Sequence, residues 1–119
     1  MSDNFPEAKR FVDEGEQRRV LVDIDETICF YGETRRYDLA VPNHEMIAKI
    51  NKLYDESWYV HYWTARGGVS GVEYYNFTMN QLKSWGCKFH ELSTGTTGSC
   101  VKPIFDLLID DKSKRIEEL

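Results

Sequence analysis

The sequence predicts an α/β domain: a three-layer sandwich around a mostly parallel sheet of four to five strands. Two observations predict it. Short apolar runs alternate with stretches of helical periodicity, the order that parallel sheets with crossover helices require. The apolar runs also stop at Asp, Thr or paired acids, polar groups that such a sheet gathers along its carboxyl edge.

The elements follow in order. Residues 1–18 are polar, with a weak helical pattern at Phe5, Ala8, Phe11 and Val12, and read as a short helix or arm. Arg19 to Ile24 is an apolar run that predicts a buried strand. Residues 28–42, with Tyr31-Gly32 and Pro42, suit an irregular loop or small hairpin. Asn43 is placed to cap a helix over 44–56, in which Met46, Ile47, Ile50, Leu53 and Tyr54 recur at helical spacing. A second strand spans Trp58 to Trp63. Ser70-Gly71-Val72-Glu73 matches a capping box opening a helix with Val72, Tyr75, Met79, Leu82 and Trp85 on one side, ended by Gly86. Cys87 to Leu92 reads as a third strand and Phe105 to Ile109 as a fourth. A short helix with Ile116 and Leu119 closes the chain.

Bulk properties narrow the function. The 119 residues suit one small domain. A net charge of −5 disfavours nucleic acid or an anionic membrane as a partner of the whole surface. No apolar run approaches the roughly 20 residues of a membrane span. Met1-Ser2-Asp3-Asn4 lacks the basic and apolar regions of a signal peptide, so a cytoplasmic location is expected. Three widely spaced cysteines, Cys29, Cys87 and Cys100, fit reduced thiols better than disulfides or a zinc site. His61 reads as a packed strand histidine; His44 and His90 lack metal-ligand spacing.

The chemistry concentrates at strand ends. Asp23-Ile24-Asp25-Glu26-Thr27 closes the first strand, Thr64 the second, and Asp110-Asp111 the last, with Lys102-Pro103 just before it. In that order these residues resemble the haloacid dehalogenase-like phosphatase superfamily, over residues 20–111. The run from Lys102 to Lys112 is similar to small bacterial and viral members, some linked to capsule or sugar-phosphate metabolism. The resemblance implies a Rossmann-like hydrolase domain over 1–119. It implies Asp23 as nucleophile forming an aspartyl-phosphate, and Asp25 as the acid and base. For that role Asp25 needs a raised pKa. Thr64 and Lys102 would bind and neutralise the phosphoryl group. Mg²⁺ would be held by Asp23, the carbonyl of Asp25, Asp110 and Asp111, the last directly or through water. Thr27 supports the loop beside the substrate. Ala65 offers its backbone to the phosphoryl oxygens, and Arg66 grips an acidic group of the substrate, helped by the close approach that Gly67 and Gly68 permit. Tyr31, Arg35, Arg36 and Tyr37 suit the pocket entrance, while Cys29 has no visible activator.

Neither 28–57 nor 65–101 leaves room for a cap domain. An open site and small sheet make a homodimer plausible. The expected activity is a Mg²⁺-dependent phosphomonoesterase on a small phosphorylated substrate, a sugar phosphate or nucleotide. The alternatives are a nucleic-acid 3′-phosphatase or a non-hydrolytic, phospho-accepting regulatory module. A receiver-type module is disfavoured, because here the Lys precedes the final acidic pair.

Overall fold

A computed structural model of the chain describes residues 18–96 and 105–110. The first apolar run forms β1 (Arg19–Asp23). A two-stranded antiparallel hairpin follows, β2 (Cys29–Phe30) and β3 (Val41–Pro42), with a 3₁₀ turn at Tyr37–Leu39 between them. Helix α1 (His44–Asp55) starts where Asn43 Oδ1 accepts the Met46 N–H at 3.2 Å, the expected cap. Then come β4 (Tyr59–Trp63), α2 (Tyr75–Ser84), β5 (Glu91–Ser93) and β6 (Leu107–Ile109).

β1, β4, β5 and β6 form one parallel sheet in the order β5-β4-β1-β6. Two crossovers step from β1 to β4 to β5, and the chain then returns to the far side of β1. The strand order therefore reverses between β1 and β6, and ligands of open α/β sheets bind at such a reversal, beyond the strands' carboxyl ends. The register pairs Val22 with Ile109, so Asp23 and Asp110 are the next residues of two adjacent strands. This is a small Rossmann-like α/β fold, but among the described residues both helices lie on one face of the sheet, so the third layer of the expected sandwich is not seen there. Among the described residues no cap domain interrupts it.

Apolar burial fixes the layers. Val20, Val22, Val60, Tyr62, Leu92 and Ile109 share one cluster with Ile47, Ile50 and Leu53 of α1 and Leu82 of α2, so both helices cover the same sheet face. Asn51 ties α1 to the turn after α2, donating to Gly86 O at 2.9 Å and accepting from Lys88 N at 2.8 Å. On the other face Leu21 and His61 are buried as well. His61 meets Ser93 Oγ at 2.8 Å, the packed role expected of it.

Two elements differ from expectation. Helix α2 begins at Tyr75, not at a Ser70–Glu73 capping box. Gly67 and Gly71 take positive φ and keep the chain in turns, while Ser70 and Glu73 each accept a nearby N–H, of Val72 and Tyr75. The third strand is shorter than Cys87–Leu92 because Cys87 turns back to α2, its N–H donating to Leu82 O, and the Val60 N–H goes to the His90 ring Nδ1 rather than to a carbonyl. The His90 N–H does reach Val60 O, at 2.9 Å. The predicted N-terminal arm through residue 17 and the predicted C-terminal helix lie outside the described residues.

Candidate active site

The loop after β1 turns at once. Glu26 has φ of +68°, and the Thr27 and Ile28 N–H groups both donate to Ile24 O, at 3.2 and 3.0 Å. This tight turn points Asp25 away from the strand line into a cluster of donors. Arg66 Nη2 reaches Asp25 Oδ1 at 2.8 Å, and Arg66 Nε lies 3.2 Å from both carboxylate oxygens. Thr64 Oγ1 donates to Asp25 Oδ2 at 2.8 Å, and the Tyr31 hydroxyl donates to Oδ1.

Arg66 is 1% exposed, so it does not reach out to a substrate. Its expected grip on an acidic group of the ligand is replaced by one on Asp25. The reason is electrostatic: a buried guanidinium requires a charged partner and hydrogen bonds for its remaining donors. Nη1 supplies these bonds to Gln81 Oε1 at 2.8 Å and Thr78 Oγ1 at 3.2 Å, both on α2. Gln81 Nε2 donates in turn to Tyr37 O at 2.7 Å, and the Tyr37 ring lies 4.5 Å from the guanidinium carbon. One arginine thus joins the loop after β1, α2 and the 31–39 loop.

The same contacts set the protonation of Asp25. Burial pushes its pKa up, but the Arg66 guanidinium, with Tyr31 and Thr64, brings it below the ordinary 3.8. The raised value expected of an acid is therefore not found in this state. Burial beside Asp25 pushes the Cys29 thiol up to about 11, which leaves it unreactive. The Tyr31 hydroxyl is raised too, by burial and by its bond to Asp25.

Other expected residues take different positions. Asp23 and Asp110 are half-buried, side by side at the strand reversal. Thr64 is buried and committed to Asp25 and to the Arg66 N–H at 3.2 Å, not open to a phosphoryl oxygen. Thr27 is buried, and its hydroxyl has no hydrogen-bond partner among the described residues. Ala65 is exposed at the edge, as a backbone contact would need. Lys102 and Asp111 lie outside the described residues. Arg35 and Arg36 are exposed and paired with Glu26 at 2.7 Å and Asp38 at 2.8 Å.

Gly67 and Gly68, expected to let an anion approach, are instead closed in by backbone: Gly67 by the Val72 carbonyl and Gly68 by Gly95. Gly95 N–H donates to Arg66 O at 2.8 Å, and a Cβ on Gly95 would sit 2.6 Å from Ala65 O and also strike Gly68. The loops after β4 and β5 are locked backbone to backbone.

No local sequence pattern ties Tyr31, Thr78 and Gln81 together as one network. Thr78 and Gln81 stand three residues apart on α2, the spacing of helical neighbours, and that was the available signal.

Magnesium takes oxygen ligands and keeps several waters, needing only one or two carboxylates. Asp23 and Asp110 supply that number on adjacent strands, so the donor set fits. The Asp25 carboxylate is fully engaged, which leaves only its carbonyl for a metal. Among the described residues no three His, Cys, Asp or Glu side chains form a ligand cluster.

No family model and no curated protein matches the chain. Among solved structures, a crystallised structural-genomics target from Vibrio cholerae is similar, with a TM-score of 0.61 over 86% of each chain at 18% identity. That likeness supports the Rossmann-like fold and carries no activity with it. No helix among the described residues is long and apolar enough to cross a membrane.

Proposed function

We propose that the chain is a Mg²⁺-dependent phosphomonoesterase of the haloacid dehalogenase-like type. The observation that carries this reading is Asp23 beside Asp110 at the strand reversal, with Asp25 one turn away in a dense donor network.

In this reading an Asp23 carboxylate oxygen attacks the phosphorus, forming an acyl-phosphate bond as the ester P–O bond breaks. The leaving oxygen takes a proton from Asp25. Water then attacks the aspartyl-phosphate and returns a proton to Asp25, releasing inorganic phosphate. Asp23, Asp110 and the carbonyl of Asp25 would hold Mg²⁺, which supplies charge neutralisation for the phosphoryl oxygens. Lys102 and Asp111 are proposed to assist from the same edge. Arg66 is the positioning residue: it fixes the Asp25 carboxylate and keeps it ionised in the free protein. A proton on Asp25 is therefore scarce at neutral pH. Turnover of alkyl esters, whose leaving groups need that proton, should rise as pH falls.

The lock on Asp25 also favours a second reading, a phospho-accepting module. A carboxylate held this tightly makes a poor shuttle, and an aspartyl-phosphate would then persist. The test is phosphate release from p-nitrophenyl phosphate with Mg²⁺, with EDTA, and by Asp23→Asn. Release only in the first case supports the enzyme. Equal release in all three removes both readings, and a long-lived adduct without turnover supports the second.

A further inference from the structure

Three aromatic rings at the strand-end edge, those of Tyr37, Tyr74 and Phe77, stand outside the hydrophobic core cluster. They form a row that begins at the candidate site. Tyr31, bonded to Asp25 and 3.1 Å from Arg66 Nη2, lies 6.4 Å from Tyr37 between ring centroids. Tyr37 meets Tyr74 at 4.9 Å and 89°, and Tyr74 meets Phe77 at 6.3 Å and 72°. Arg66 covers Tyr37 and Arg35 covers Tyr31, so the inner rings already have partners. Among the described residues the outer end does not share that cover: Phe77 is 37% exposed, and the nearby Val72 is 49% exposed.

We propose that Tyr74 and Phe77 receive the flat ring of a nucleobase, making a nucleoside monophosphate the preferred substrate; this rests on the phosphatase reading above. Rings set near right angles present a face and an edge together, complementary to the quadrupole of another π-system. A sugar ring has no such quadrupole. Base–aromatic stacking tolerates different bases, so the site discriminates by ring rather than by base identity. Charge selects the monomer over a polymer. A nucleic-acid strand needs a track of cations, but Arg35 and Arg36 are each neutralised by Glu26 and Asp38 and the chain carries −5 overall.

The test uses the full chain with Mg²⁺. Nucleoside monophosphates, glucose 6-phosphate and glycerol phosphate are compared as substrates. In parallel, binding of adenosine and uridine, which lack phosphate, is followed by saturation-transfer NMR. The nucleotides should lead in kcat/KM by about tenfold or more, the scale of one stacked base. Both nucleosides should bind, weakened about tenfold by Phe77→Ala and restored by Phe77→Trp. Equal kcat/KM across the esters, or nucleoside binding that ignores Phe77→Ala, overturns the proposal. Nucleoside binding with no ester hydrolysed upholds the ring site and removes the phosphatase reading alone.

Discussion

Asp23 and Asp25 are one residue apart, yet they occupy different chemical settings. Asp23 continues β1 and lies level with Asp110 at the strand reversal. Asp25 lies past the strand, turned into contact with Arg66, Thr64 and Tyr31. The first setting suits a group that meets a ligand; the second suits one whose orientation and charge are held by the protein. The difference shows how a single tight turn puts two acids of one short segment into separate surroundings. It also makes the pair separable by experiment.

The largest contrast is between Asp23→Asn and Arg66→Ala. Asp23→Asn should abolish phosphate release while leaving the melting temperature nearly unchanged. Arg66→Ala leaves Asp25 buried without its cation and should cost about 3–5 kcal/mol of stability by urea denaturation. A destabilised Asp23→Asn, or a fully stable Arg66→Ala, would break the comparison.

A smaller effect is expected where the loops interlock. Gly95→Ala forces a Cβ against the Ala65 carbonyl and Gly68, and should cost about 1–3 kcal/mol. Because Gly95 N–H holds the Arg66 carbonyl, the same variant should also loosen Asp25.

The smallest effect is a pH dependence. Asp25 has a lower pKa folded than unfolded. Between those values the unfolded chain binds more protons, so stability rises with pH. The contribution is complete above the unfolded value near 3.8 and is lost as pH falls through the folded one. Thermal melts from pH 5 downward should therefore show a steeper acid slope for the wild type than for Asp25→Asn. Equal slopes would place Asp25 outside the network.

Much of this architecture was legible in the sequence, because short-range pattern decides it. The β1 and β4 runs, the Asn43 cap, the α1 face and the Gly86 stop all follow from local spacing and residue type. The α2 start was not legible. Ser70 and Glu73 have capping-box spacing, but two positive-φ glycines and local side-chain bonds keep that stretch non-helical. The role of Arg66 was hidden for another reason. Its partner is 41 residues away, and nothing beside Arg66 in the chain marks it as buried. The strand-end motifs pointed to Asp23, Thr64 and Asp110 at the edge, but not to which residues bind each other there.

The most direct test of the central claim is mass spectrometry of the protein quenched in acid during turnover of a phosphate ester with Mg²⁺. A phosphoryl adduct on Asp23, absent in Asp23→Asn together with phosphate release, is the predicted result. Phosphate released at the wild-type rate by Asp23→Asn, or an adduct located on another residue, would contradict it.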